Sequence, residues 1–366
     1  MGVSIGLLYS EGMRSVLSPL SGSRASNIIR PTIAAVYITK SCNSQCNFCD
    51  FWKHDKDPGE LSSEQWGIVF SKLKAFGVRF VGVNASGEMF SRKDVFEILQ
   101  HLNDLGLIFN VNTNGLNLTQ ARSERLARLQ PRQITIGMDG VGDQSYFATR
   151  GIKNGFTKVS KSIDSLMRAG ARDVSIGSVL MIENMGEWVK LAEFAHDKGL
   201  SGVRFTAYHD AYFNPEAIKE GCRYQEVETR SLIEHEIDRL IEIKRKTGIV
   251  KNSIPYLMRV KEFYRNQKSY FPVPCIQGSN RIEIDIYGNV TLCSFMTNSL
   301  GNLIEKEMED IWNSTVHRKA REAAFRGDCP HCFLSCYAEE NLRLSKEGFV
   351  PTLSNSLRRG IRLLGR

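Results

Sequence analysis

Six short runs of β-branched and other apolar residues, at 33–38, 79–84, 108–112, 133–138, 174–181 and 202–205, alternate with longer segments of helical character. Those segments, at 63–76, 93–105, 119–129, 156–169 and 185–198, repeat apolar residues every three or four positions. In the first, Trp66, Val69, Phe70 and Leu73 share one helical face. Gly77, Gly106, Gly170 and Gly199 follow four of them, where a left-handed C-terminal residue is expected. Strands joined through helices run parallel, with right-handed crossovers. Two α/β architectures satisfy this pattern, an open doubly wound sheet or a full or partial barrel. In both, chemistry collects where the strands end. No Gly-rich dinucleotide fingerprint follows a strand, which counts against the first.

Beyond Phe205 the alternation stops. Helices at 226–246 and 254–265 lead to Pro272 and Pro274, and the segment that follows holds Cys275, Cys293, Cys329, Cys332 and Cys336 of the nine cysteines. The expected organisation of the 366 residues is an N-terminal extension (1–32), a β/α body (33–225), a helical linker (226–272), a cysteine-rich domain (273–347) and a basic tail (348–366). Arg358, Arg359, Arg362 and Arg366 in that tail supply much of the net charge of +8, either as a solvated end or for an anionic partner. No run of eighteen apolar residues reads as a membrane span, and no basic region precedes the short apolar stretch at the N-terminus as in a signal peptide. The expected location is therefore the reducing cytoplasm, where cysteines ligate metals or catalyse rather than form disulfides. An odd count of nine also excludes complete pairing.

Cys42, Cys46 and Cys49 stand in C-N-S-Q-C-N-F-C directly after the first strand. Three thiols so close converge on one site only if the loop wraps around a metal or a cluster. Structural zinc takes four ligands, and no fourth Cys or His stands at finger spacing. His54, the nearest histidine, sits among Lys53, Asp55, Lys56 and Asp57 and reads as an exposed polar residue. Three thiolates on a four-iron cluster would leave one iron open for a further ligand.

This C-x3-C-x-aromatic-C pattern, with Phe48 at the aromatic position, resembles the radical S-adenosylmethionine superfamily, and the resemblance extends over roughly residues 33–345. It implies a partial six-unit TIM-type β/α barrel. It also implies a 4Fe-4S cluster on Cys42, Cys46 and Cys49 that chelates S-adenosylmethionine through its open iron. Reductive cleavage would give methionine and a 5′-deoxyadenosyl radical that abstracts a substrate hydrogen atom. Ser86-Gly87-Glu88-Met89 resembles the family's Gly-Gly-Glu-Pro motif, which implies that Glu88 accepts from the cofactor's amino group while Gly87 keeps the backbone accessible. Asn112-Thr113-Asn114-Gly115 resembles the polar strand end near the ribose, although an Asn-Gly turn explains Asn114 equally. Gly137-Met138-Asp139-Gly140 resembles Ser-Leu-Asp-Gly; Gly137 replaces the serine that meets the cofactor carboxylate, so Arg150 is the candidate donor in its place. Residues 179–181, with Met181 at their end, and Asn184 resemble the fifth strand against which adenine packs, and an apolar strand core explains the first three as well.

In the C-terminal part, Gly288 to Cys293 reads G-x4-C and Cys329 to Cys332 reads C-x2-C, similar to SPASM and shortened twitch domains. The full pattern has seven cysteines and two clusters; five imply one auxiliary 4Fe-4S cluster. Its expected ligands are Cys275, Cys293, Cys329 and Cys332, with Cys336 either substituting for one of them or staying free. His331 reads as a turn residue, and a zinc ribbon is the competing interpretation.

Towards the substrate, Tyr208, His209 and Asp210 follow the sixth strand, where His209 or Asp210 would accept a proton in a net oxidation. Cys222 is a candidate hydrogen-atom donor. The expected reaction is oxidation, epimerisation or bond formation on a metabolite or peptide, with the auxiliary cluster as electron carrier and flavodoxin or ferredoxin as reductant. Roughly thirty residues precede the first strand, too few for a separate leader-recognition domain, which counts against peptide maturation. The alternative from another class is a zinc-stabilised nucleic-acid-binding protein. It requires a basic stripe with interleaved aromatics, which the β/α body lacks.

Overall fold

The structure is a computed structural model that describes residues 30–53, 57–209, 227–265 and 275–343. Six parallel strands, β1 (Ile33–Tyr37), β2 (Phe80–Asn84), β3 (Ile108–Thr113), β4 (Gln133–Gly137), β5 (Val174–Leu180) and β6 (Gly202–Ala207), pair in sequence order. A doubly wound sheet reverses direction partway; this sheet does not, so every crossover steps the same way and the sheet curls into a partial barrel. The outer layer comprises α1 (Ser63–Phe76), α2 (Val95–Asp104), α3 (Gln120–Arg128), α4 (Asp143–Arg150), α5 (Gly155–Arg168) and α6 (Trp188–Asp197).

Local signals set the helix limits. Ser62 accepts from the Gln65 amide while the Gln65 side chain accepts from the Ser62 amide, a capping box that starts α1. Gly77, with φ 114°, stops it, and the three other glycines expected to end helices also adopt positive φ. The sequence pattern missed α4, whose eight residues carry too few apolar positions to mark a helical period.

Alternate residues of each strand face opposite sides. Val36, Val83, Val111, Ile134, Ile136 and Ile176 are at most 1% exposed and join the core beneath the helices. The other face carries Tyr37 beside Asn84, Asn112 beside Thr135, Gly177 beside Arg204 and Val179 beside Thr206. A TIM barrel normally fills its interior with bulky branched side chains. Here amides, hydroxyls and glycines occupy many inward positions, and Asn112 and Arg204 remain exposed.

The C-terminal part continues the same sheet. Strand β7 (Arg281–Ile284) pairs parallel with β1, and β8 (Asn289–Thr291) and β9 (Gly301–Asn302) add antiparallel to it. Helices α7 (Val227–Thr247) and α8 (Ile254–Arg265), expected as a linker, instead pack against the barrel's last units, and α9 (Met308–Asn313), α10 (Thr315–Arg326) and α11 (Ser335–Arg343) complete the described chain. Helix α11 spans the open side of the curled sheet. At one edge Ser335 Oγ lies 2.6 Å from Thr206 Oγ1 on β6, and at the other the Tyr337 hydroxyl donates to Glu283 on β7 at 2.5 Å. Most of the expected N-terminal extension and the whole basic tail lie outside the described residues.

The outer edge of β6 exposes main-chain groups that a neighbouring strand would otherwise satisfy. Buried Asn252 accepts from the Phe205 amide at 2.7 Å and donates to its carbonyl at 2.8 Å, imitating a strand. The Tyr256 and Tyr264 hydroxyls accept from the amides of Ala207 and Tyr208. Replacing Asn252→Ala leaves two buried main-chain groups unpaired and should lower unfolding free energy by about 2–4 kcal/mol, read from denaturant titration.

Candidate functional site

The loop after β1 has no regular structure that would fix three cysteines, so its shape comes from neighbours. The Asn47 amide donates to Thr149 O at 3.0 Å, Asn47 Nδ2 to Ala148 O at 2.7 Å, and Ser44 Oγ to Arg150 O at 3.2 Å. All three acceptors are at the C-terminal end of α4. There Gly151, with φ 68°, lets the backbones meet; a Cβ on it would stand 2.5 Å from Gln45 O. Inside the loop the Cys49 amide and Trp52 Nε1 both donate to Cys46 O. On the opposite side Gly87 presses against the loop, because a Cβ there would lie 2.2 Å from Ser41 O.

Cys42, Cys46 and Cys49 are unpaired and partly exposed. Burial pushes the Cys42 thiol up to about 11, that of Cys49 to about 12, and that of Cys46 in the same direction. Such thiols stay protonated unless a metal centre compensates the thiolate charge, so the donor set fits a metal cluster. Among the described residues no three His, Cys, Asp or Glu side chains converge closely enough to hold a single metal ion. A four-iron cluster spreads its ligands over separate iron corners and needs no such convergence. Phe48 packs with Val179 and Met181 against Cys46, Cys49 and Tyr208, giving the site an apolar wall.

The other expected cofactor residues gather around this loop. Glu88 is 2% exposed, and its carboxylate accepts from the Phe90 amide, Thr113 Oγ1 at 2.5 Å and the Asn114 amide at 2.6 Å. Burial raises its pKa, and these donors oppose the rise. Three of about four acceptor positions on the carboxylate are thus committed to joining the ends of β2 and β3. Asn114 ties β3 to the cysteine loop through a 2.7 Å bond from its Nδ2 to Asn43 Oδ1, while its own Oδ1 accepts from the Leu116 amide as in an Asx turn. The turn reading of Asn114 is thus seen in its own backbone contact. Asn112 donates to Asn84 Oδ1 at 2.5 Å across the lumen wall.

Arg150 is buried above Gly137, where a Cβ would stand 2.8 Å from either terminal guanidinium nitrogen. A serine at that position would collide with it, so the glycine and the arginine belong together. Asp139 Oδ2 accepts from Arg150 Nε at 2.8 Å and pairs with Nη2 at 2.7 Å. Burial works against the guanidinium charge, but Asp139, with Cys46 and Tyr146, outweighs it and holds the pKa above its ordinary value. Asp139 Oδ1 also accepts from Ser178 Oγ and the Val179 amide. Its central role was missed at the sequence level, although the Asp of Gly-Met-Asp-Gly was the available signal. Asn184 donates to the carbonyls of Asp139 and Val179 and accepts from the Met181 amide and Trp188 Nε1, fixing the turn after β5.

In the C-terminal part Cys275, Cys293, Cys329 and Cys332 line one cavity of about 520 Å³, measured with its open mouth, together with Phe295, Met296 and other residues. Cys336 on α11 does not line it, although burial pushes its thiol up to about 12 as well, with Arg281 opposing the rise. Burial pushes the Cys293 thiol to about 12 and raises those of Cys275 and Cys332, again a donor set that a metal cluster satisfies. His331 adopts φ 59° and donates to Gly327 O at 3.0 Å, as a turn residue should. His209 is buried beside this cavity, with Nε2 3.1 Å from His331 O. Asp210 and Cys222 lie outside the described residues.

Residues 36–195 match the radical SAM superfamily, and residues 275–337 match the SPASM iron-sulfur cluster-binding domain. The sporulation killing factor maturation protein SkfB of Bacillus subtilis is 27% identical over 303 residues, 83% of this chain and 69% of that protein. An AdoMet-dependent heme synthase of Methanosarcina barkeri is 24% identical over 82% of this chain and 88% of its own. In fold, the chain is similar to Streptococcus suis SuiB bound to the precursor peptide SuiA, with a TM-score of 0.63 at 16% identity, covering 88% of this chain and 73% of that one. These matches leave the zinc-stabilised nucleic-acid-binding alternative without support. The chain therefore carries a radical SAM domain followed by a SPASM domain: it is an enzyme that uses S-adenosylmethionine with a 4Fe-4S cluster and has auxiliary iron–sulfur chemistry.

Proposed function

We propose that this enzyme modifies a peptide held in the barrel lumen. The observation that carries this reading is the hydrogen-bonding lining of Asn84, Asn112, Thr135 and Thr206 on inward strand positions, with Asn112 exposed. Side-chain amides and hydroxyls match the alternating donors and acceptors of an extended main chain. The names of SkfB, a maturation protein, and of the peptide-bound SuiB structure support the same substrate class. It stands against the expectation drawn from the short segment ahead of β1.

When bound, the reduced cluster and S-adenosylmethionine supply the 5′-deoxyadenosyl radical that removes a substrate hydrogen atom. Cys42, Cys46 and Cys49 would hold the cluster. Arg150, fixed by Asp139 through Nε and Nη2 and seated in the space that Gly137 leaves, would offer Nη1 to the cofactor carboxylate. Glu88 and Asn114 hold the loop ends in register, and Phe48, Val179 and Met181 keep water from one side. Cys275, Cys293, Cys329 and Cys332 would hold one auxiliary 4Fe-4S cluster, which would supply an electron acceptor beside the lumen, leaving Cys336 spare. Asp210 is the candidate proton acceptor and Cys222 the candidate hydrogen donor. A flavodoxin or ferredoxin of the cytoplasm serves as reductant.

The anaerobically reconstituted protein should bind about eight irons, and the Cys42→Ala/Cys46→Ala/Cys49→Ala variant about four. Cys336→Ala should keep all of them; loss of the auxiliary iron in that variant would overturn the ligand assignment. Arg150→Lys keeps a charge for Asp139 but loses the planar fork, and should weaken S-adenosylmethionine binding about 10- to 100-fold by equilibrium dialysis. The substrate class is tested with peptides encoded beside the gene. One of them, deuterated, should stimulate cofactor cleavage and transfer deuterium to 5′-deoxyadenosine, whereas transfer from a small metabolite alone would refute the peptide reading.

A further inference from the structure

Cys332 is flanked by two carbonyls, those of His331 and Phe333, and each meets a side chain of the barrel layer. His209, two residues beyond β6, places Nε2 3.1 Å from His331 O. Tyr256 on α8 donates its hydroxyl to Phe333 O at 3.3 Å while accepting from the Ala207 amide of β6 at 3.0 Å. Aromatic packing reinforces both contacts. The Phe333 ring stacks on Tyr256 at 4.9 Å and on Phe263 at 5.4 Å. The His209 ring meets Phe263 at 5.7 Å and, edge on, Phe295 of the cysteine cavity at 4.9 Å. A carbonyl only accepts, so His209 Nε2 carries the hydrogen, and its Nδ1 is left as a buried atom without a hydrogen-bond partner among the described residues.

We infer that His209 is a positioning residue for the auxiliary cluster: with Tyr256 it fastens the Cys329–Cys332 loop to strand β6, setting the orientation of Cys332 from the strand that also walls the substrate lumen. The role uses Nε2 alone; the expected role of His209 as a proton acceptor would fall to Nδ1, the nitrogen that carries no hydrogen. Burial, which lowers the His209 pKa, keeps the ring in the neutral form that the arrangement uses. The left-handed backbone at His331 makes the external hold necessary. A non-glycine residue at φ 59° is held there by its surroundings, and its own ring reaches only back to Gly327. Outer partners of this kind set ligand orientation, metal affinity and potential in metal sites generally.

The inference rests on Cys332 being an auxiliary-cluster ligand, and the experiment separates the two. In the Cys42→Ala/Cys46→Ala/Cys49→Ala background, which isolates the auxiliary cluster, His209→Phe keeps the ring packing and removes the donor. His209→Gln restores a donor near Nε2. The Phe variant should shift the electron paramagnetic resonance signal and midpoint potential of the auxiliary cluster and release iron to a chelator about 10-fold faster. The Gln variant should return both towards the parent. A Phe variant identical to the parent, or a Gln variant as altered as the Phe variant, overturns the inference. A parent that binds no iron overturns the ligand assignment itself. Should His209→Phe not fold, Tyr256→Phe removes the donor to the other carbonyl and is read in the same way, an unchanged cluster signal again overturning the proposal.

Discussion

The ion pair of Asp139 with Arg150 is the interaction on which the rest of the site depends. Asp139 gathers β4, the Val179 amide of β5 and the arginine into one junction, and the Arg150 carbonyl in turn holds Ser44 inside the cysteine loop. A buried ion pair contributes little net stability, since desolvation offsets most of its attraction. Its value here is geometric. An irregular loop must present three thiols at fixed positions before any metal arrives, and a charged junction with every acceptor occupied has few alternative arrangements. Gly137 is the concession that makes room for it.

A second constraint is the open side of a barrel with six units. Six curled strands leave two edges, and both need partners. The chain answers with two different devices. At β1 it adds β7, a true strand. At β6 it uses a single parallel bridge from Val203 to Val250 and, beyond it, the side chains of Asn252, Tyr256 and Tyr264. Helix α11 then spans the gap between the edges through Ser335 and Tyr337. The buried group of Tyr337, Glu283 and Ser294, with Tyr37 at its margin, therefore belongs to the closure of the barrel as much as to the cysteine-rich part.

Much of this was legible in the sequence because it is local. Periodicity located the strands, glycines at positive φ marked helix ends, and the cysteine spacings separated one metal loop from another. What escaped depends on contacts between distant segments. Helix α4 has weak periodicity and is defined by what it holds, the cysteine loop. The loss of serine at Gly137 looked like a missing contact until the arginine was seen above it. Arg150 was identified for its chemistry, but nothing in its neighbours in sequence indicated that Asp139 would orient it. Likewise the position of His209 after β6 suggested the substrate side, while its partner lies at His331, far along the chain.

The pairing of β7 with β1 carries a further consequence. The strand that leads into the S-adenosylmethionine loop and the strand that leads towards the auxiliary cysteines are hydrogen-bonded neighbours, from Ile33 beside Arg281 to Val36 beside Ile284. The barrel is therefore not a module to which a second module was attached. Cut away from its C-terminal part, it would bare an apolar central strand as an edge, the kind of surface along which chains polymerise. In this architecture the segment that supplies the second redox centre also covers the edge of the sheet that carries the first.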